Sequence, residues 1–181
     1  MTLLLLLGGA SAGKSGLAVQ LAHRRGGEVW FLATAEGLDD EMVERIRAHR
    51  AMRPAEWHVV EEPRDLERVI PTIPVHATLI LDCLTLWTSN LIEQLPANEI
   101  VRRAAGLAAS VRERRGLSIV VSNEVGLGLV PPNPLGRVYR DLLGQVNRCW
   151  ADASDDMWLV VAGRGVRLDP VDLNRWGAAH E

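Results

Sequence analysis

Leu3-Leu4-Leu5-Leu6-Leu7-Gly8-Gly9-Ala10-Ser11-Ala12-Gly13-Lys14-Ser15 is the stretch on which the fold turns. Five leucines without a polar residue between them predict a strand buried on both faces, since a strand with one wet face would alternate. The next eight residues fit G-x-x-x-x-G-K-[S/T]. Glycines in this pattern let the backbone wrap an anion with its N–H groups inward, the lysine reaches the terminal phosphates, and the serine hydroxyl ligates Mg²⁺. The amphipathic stretch that starts at Lys14 points the positive end of a helix at the same anion. Gly8, Gly9, Ala10, Ser11, Ala12, Gly13, Lys14 and Ser15 therefore form the predicted nucleotide cradle, with Lys14 also catalytic and Ser15 also a metal ligand. The leucine run has no basic leader and is too short for a signal-peptide core or a membrane span.

Working outward, short apolar runs alternate with longer amphipathic ones. Strands are predicted at 3–7, 29–33, 58–60, 78–81, 117–122 and 157–162, and helices at 14–25, 39–51, 84–94, 97–115 and 136–150. This rhythm predicts an α/β fold, a mostly parallel sheet with helices on both faces, in one domain over residues 1–181. A chain of 181 residues, 48% hydrophobic and 24% charged, is neither disordered nor a disulfide-dense secreted scaffold. Its net charge of −3, without a concentrated basic run, argues against nucleic acid as a partner. Cys83 and Cys149 lie in apolar surroundings and suit free thiols in a reduced, cytoplasmic protein.

The chain has 19 arginines and a single lysine, Lys14. Arginine supplies surface charge almost everywhere, so lysine at this one position suggests that arginine would not serve there. A site of this kind wants a carboxylate at the end of another central strand to hold Mg²⁺. Asp82 closes the run Leu79-Ile80-Leu81-Asp82 and is the candidate; the competing reading is an N-cap for the helix starting at Leu84. Glu124, past the strand ending at Ser122, is a second carboxylate with metal and loop-capping readings equally open. The GTPases that read guanine through Asn-Lys-x-Asp are excluded, because the lone lysine is already used. Asp39-Asp40-Glu41-Met42 opens a helix on acids, and Arg45, Arg47, His49, Arg50 and Arg53 gather toward its end. Those cations either answer the helix dipole or form a phosphate-handling patch with His49 as acid, base or nucleophile. The long Gly126–Pro134 loop is a second candidate functional segment.

Ordered landmarks then carry a resemblance. They are Gly8–Ser15, Ala33-Thr34-Ala35, Asp39-Asp40-Glu41-Met42, Arg45-Ile46-x-x-His49, Arg53, Trp57, Glu61-Glu62-Pro63 and Leu81-Asp82-Cys83-Leu84-Thr85. After Asn90-Leu91 come Ser122-Asn123-Glu124-Val125-Gly126-Leu127-Gly128-Leu129-Val130-Pro131, Arg137-x-x-Arg140-Asp141-x-x-Gly144-x-Val146-Asn147 and Ala151-Asp152. Over nearly its whole length the chain resembles the bifunctional cobinamide kinases/cobinamide-phosphate guanylyltransferases of cobalamin biosynthesis. The resemblance implies a RecA-like P-loop fold and two reactions. ATP or GTP phosphorylates the aminopropanol hydroxyl of adenosylcobinamide, and GTP then transfers GMP to adenosylcobinamide phosphate through a GMP-histidine intermediate. It places that histidine at His49 and nucleotide contacts at Gly8–Ser15, Ala33, Thr34, Ala35, Arg50, Ala51, Met52, Arg53, Glu61 and Asp82. It also implies a homotrimer. The chain departs from the family at Ser11-Ala12, where Arg-Ser is usual, and lacks the lysine often found near the C-terminus. Two other readings remain: a monofunctional P-loop small-molecule kinase, and a nucleotide-gated binding module whose partner docks on the Gly126–Pro134 loop.

Overall fold

The leucine run becomes β1 (Thr2–Gly8), and its continuous apolarity is used on both sides. Leu3, Leu5 and Leu7 enter one core cluster and Leu4 and Leu6 the other. This computed structural model describes residues 2–37, 40–51 and 53–172, of which 41, 42, 45, 48, 49 and 51 are described by their backbone alone. Asp39 and Met52 lie outside the described residues.

Along the chain follow α1 (Lys14–Arg25), β2 (Val29–Ala33), α2 (Asp40–Ala51), β3 (His58–Glu61) and α3 (Leu66–Val69) with a 3₁₀ turn at Ile70–Thr72. Then come β4 (Thr78–Asp82), α4 (Leu84–Leu91), α5 (Ala97–Arg112), β5 (Leu117–Val121), α6 (Pro134–Ala153), β6 (Asp156–Val161) and β7 (Arg164–Arg167). The sheet has the order β3-β2-β4-β5-β1-β6-β7. Each neighbouring pair is parallel except β6 with β7. Parallel strands share a carboxyl edge, the side on which open α/β sheets hold ligands. α1 packs on one sheet face through Ala18 and Ala22, and α4, α5 and α6 cover the other.

Several predicted boundaries are corrected. The helix predicted at 84–94 ends at Leu91, and the one at 97–115 ends at Arg112. Arg114 has left that helix for a buried clamp: its guanidinium donates to the carbonyls of Ile73 at 3.1 Å, Pro74 at 2.9 Å and Ala77 at 3.1 Å. Burial lowers its pKa. The last helix begins earlier than predicted, at Pro134, because Asn133 caps it by accepting from the Gly136 N–H at 2.6 Å. It also runs on beyond Trp150 to Ala153. β5 stops at Val121, one residue before the predicted end, and β6 stops at Val161, because Ala162 enters a turn at φ 50°. Both cysteines are free and half-buried.

Candidate active site

The phosphate loop is shaped by backbone. A Cβ on Gly8 would stand 2.2 Å from the Val160 carbonyl oxygen, so only glycine fits beneath β6. Gly13 takes the left-handed conformation, φ 97°, at the N-cap of α1, and no acidic residue occupies that helix's first turn to compete for an anion. The hairpin between β6 and β7 closes the loop from outside, with the Gly163 N–H donating to the Ala12 carbonyl at 2.8 Å. Lys14 is buried, its Nζ donating to the carbonyls of Gly8 at 3.0 Å and Gly9 at 2.6 Å. Its ammonium is thus held by the loop it serves. A guanidinium, wider and planar, could not be held by these two carbonyls in the same way.

Strand register extends the site away from this loop. Ala33 stands opposite Glu61 on one side and Asp82 on the other. Asp82 in turn faces Val121, which faces Leu6. These residues form one row across the sheet near its carboxyl edge. Neighbouring strands lie about 4.8 Å apart, so the two acidic residues sit about 10 Å apart over a small alanine. Ala33, Val121 and Leu6 belong to the core cluster of α1, which puts both carboxylates on the face of α1. The N-cap position of α4 falls on Cys83, one residue beyond Asp82, and Cys83 makes no side-chain cap bond. The two hard oxygen ligands predicted for Mg²⁺, the Ser15 hydroxyl and the Asp82 carboxylate, are both half-buried on this edge. Such a pair fits a Mg²⁺ ion that keeps waters and takes its remaining ligands from phosphates.

Beyond Asp82 the arginines predicted in the second-helix segment arrive. The Arg53 guanidinium carbon lies 3.8 Å from the centre of the Phe31 ring, one step behind Ala33 on the same face. Burial lowers the Arg53 pKa, against the opposing fields of Asp82 and Glu61 and with that of Arg50. Its Nε and Nη1 are buried without a hydrogen-bond partner. Two buried charged donors left unmatched are costly unless an anion completes them. Arg50 pairs with Glu61, its Nε donating at 3.0 Å. Arg50, Arg53, Trp57 and Glu61 line a cavity of about 550 Å³. His49 precedes Arg50 in α2; its side chain, like that of Ala51, is outside the described residues.

Other predicted residues are committed to structure. Thr34 is fully buried, its hydroxyl donating to the Cys83 carbonyl at 2.7 Å and accepting from the Cys83 N–H at 2.8 Å. It ties the ends of β2 and β4 together, so its side chain shapes the site from below. The Glu124 carboxylate accepts from the Gly126 N–H at 2.6 Å, the loop-capping reading, while its own N–H donates to the Gly8 carbonyl at 3.1 Å. His58, the histidine that follows His49 in the chain, stacks on Trp30 with ring centres 4.6 Å apart and lies 3.5 Å from Glu28. It opens β3 at the amino edge, away from the phosphate loop.

Sequence reasoning gave no separate role to Glu62 or to a buried polar network. Glu62 accepts from the N–H groups of Arg64 at 3.1 Å and Asp65 at 2.9 Å and from the Arg68 guanidinium at 2.7 Å. Burial raises its pKa, but these bonds win and hold the carboxyl below the usual range. The Ser122 hydroxyl donates to Asn147 at 2.6 Å, Asn147 donates to the Asn123 carbonyl at 3.0 Å, and the Asn123 N–H donates to Thr85 at 2.8 Å. The pairing of Ser122-Asn123 with Asn147 in the ordered landmarks was the signal available for that network.

A buried parallel strand, a glycine loop closing on a lysine at a helix N-terminus, and a carboxylate two strands away define a P-loop nucleotide-binding protein. In its fold the chain is similar to the RadB recombinase, with a TM-score of 0.51 and 16% identity over 87% of this chain and 73% of that one. The family model for cobinamide kinase/cobinamide phosphate guanyltransferase matches residues 4–168, and the chain belongs to that family. It is 40% identical to the bifunctional adenosylcobalamin biosynthesis protein CobP of Pseudomonas aeruginosa over 160 residues, 88% of this chain and 92% of the relative. It is 36% identical to the corresponding protein CobU of Salmonella typhimurium over 180 residues, 92% of this chain and 99% of the relative.

Proposed function

We propose that one nucleotide site on the carboxyl edge serves two reactions in turn: phosphorylation of adenosylcobinamide by ATP or GTP, then transfer of GMP from GTP to adenosylcobinamide phosphate. The observation that carries this is the shared row, in which Asp82 and Glu61 flank Ala33 on the face of α1, with Arg53 against Phe31 just behind. Besides the loop and Asp82, the sheet thus carries two arginines, Arg50 on Glu61 and Arg53 on Phe31. That is more than a simple kinase needs, and it disfavours the monofunctional reading.

In the first reaction the loop N–H groups and Lys14 hold the β- and γ-phosphates and neutralise the charge that spreads over the moving phosphoryl group. Ser15 and Asp82 would hold Mg²⁺, which supplies further charge neutralisation when bound. In the second, His49 attacks the α-phosphorus of GTP. The new P–N bond forms as the bond to pyrophosphate breaks, and pyrophosphate leaves. An imidazole with an ordinary pKa of ~6.5 is mostly neutral at neutral pH and needs no separate base for this. The phosphate of adenosylcobinamide phosphate then displaces the histidine, giving adenosylcobinamide-GDP. Arg50 and Arg53 steady the α- and β-phosphates, and the two unmatched Arg53 donors find their acceptors there. The family resemblance supports a homotrimer working in the cytoplasm as one P-loop domain. Incubating the protein with adenosylcobinamide, GTP and Mg²⁺ and separating products by mass tests the reading: both the phosphate and the GDP derivative are expected. The phosphate alone would favour the monofunctional kinase.

A further inference from the structure

From Val125 to Gly136 the chain carries no charged residue, in a protein that is 24% charged. Within this run Leu127 is 83% exposed, Leu129 96% and Val130 65%; Leu135 and Val138 at the start of α6 are half exposed. Exposed large apolar side chains gathered in one uncharged run mark a place where something docks. The segment is also held in place. At one end the Glu124 N–H is bonded to Gly8 of the phosphate loop and the Glu124 carboxylate holds Gly126. At the other, Arg137 donates to the carbonyls of Pro131 at 3.0 Å and Pro132 at 2.9 Å. The leucines thus stand on a braced loop whose entry, at Glu124, is hydrogen-bonded to the phosphate loop.

We infer that Leu127, Leu129 and Val130 form the docking surface for the corrin ring of the substrate. The inference rests on the proposed function, which requires a bulky corrinoid to bring one arm to the phosphates. Its charge character matches: methyl groups and neutral carboxamides surround the macrocycle, and negative charge enters only on the arm that is phosphorylated. An uncharged apolar platform would hold the body of such a molecule, with the basic phosphate site beside it for the arm. Carboxamides of the ring rim can also bond to backbone groups of the glycine-rich turn 126–128. A second copy of the chain is the competing occupant.

The test is the double substitution Leu127→Gln with Leu129→Gln in the full chain; both side chains are exposed, so folding does not depend on them. Adenosylcobinamide binding is read by equilibrium dialysis from the colour of the corrinoid, GTP binding in parallel, and oligomeric mass by light scattering. The expected result is corrinoid affinity about tenfold weaker, with GTP affinity and mass unchanged. The KM for corrinoid should rise while kcat at saturation stays within about threefold, the split that marks lost substrate binding. Val75→Gln, an exposed apolar residue at the amino end of the sheet, should change none of these. Corrinoid affinity unchanged in the double variant would overturn the inference. So would a change in oligomeric mass, which would assign the leucines to a subunit contact. A wild-type protein that neither binds nor phosphorylates the corrinoid would reject the functional reading itself, and this docking surface with it.

Discussion

The phosphate loop and the arginine cleft of α2 and β3 do related electrostatic work by opposite means. The loop lies at the centre of the sheet and is made of backbone: Gly8 is wedged under the Val160 carbonyl, Gly13 is left-handed, and Lys14 is buried on two carbonyls. The cleft lies at the sheet edge and is made of long side chains, with Arg50 and Glu61 both exposed and Arg53 half-buried on Phe31. A group held by backbone is fixed before the nucleotide arrives, and it suits the terminal phosphates that both reactions must grip. A group on a long side chain can adjust, as the proposed passage of the α-phosphate from GTP to histidine and on to the acceptor would require. The two regions should therefore fail differently.

The largest expected effect is on the loop. Lys14→Ala should lower kcat/KM for both reactions by about a hundredfold, on the order of 3 kcal/mol of transition-state stabilisation. Lys14→Arg should fail as well, and full activity in that variant would break the claim that the loop is shaped around an ammonium. Asp82→Asn comes next. Measured as a Mg²⁺ titration of turnover, it should shift the metal requirement to higher concentration while metal-free nucleotide binding changes little. Unchanged Mg²⁺ dependence would remove Asp82 from the metal site.

At the cleft the adjoining glutamates should separate. Glu61→Gln loses an exposed pair and should change stability by less than about 1 kcal/mol, whereas Glu62→Gln, which weakens three bonds to a well-covered carboxylate, should cost about 1–2 kcal/mol at neutral pH. The sign with pH follows from the lowered folded pKa of Glu62. Its contribution is complete above the ordinary glutamate range and is lost as pH falls through the lowered folded value. Denaturation midpoints of wild type and Glu62→Gln should therefore converge on acidification. A constant gap would mean that Glu62 acts through packing alone.

How much of this was legible in the sequence follows the same division. The loop was, residue by residue, because its chemistry is local: eight consecutive positions contain the whole cradle. So were the central strands β1, β2, β4 and β5, whose largely apolar runs are buried on both faces. The row of Glu61, Ala33 and Asp82 was not, because it exists only through the register of three strands separated by dozens of residues. The end of α5 was misplaced because Arg114 is drawn away by carbonyls of Ile73, Pro74 and Ala77, some forty residues distant in sequence. β7 went unseen because all four of its residues are exposed, so no apolar pattern announces it. Thr34 was expected to touch nucleotide on resemblance; the resemblance could not announce the further task of its buried hydroxyl, which bonds to Cys83 and ties β2 to β4.

The claim that one edge serves two reactions is tested most directly by following the α-phosphate. Wild-type protein mixed with [α-³²P]GTP and Mg²⁺, then denatured, should retain label on the peptide containing His49. The adduct should be acid-labile, hydroxylamine-sensitive and stable to alkali, as a phosphoramidate is. His49→Ala should retain none and transfer no GMP, yet still phosphorylate adenosylcobinamide at close to the wild-type rate. Label persisting in His49→Ala, or its loss together with the kinase reaction, would contradict the account.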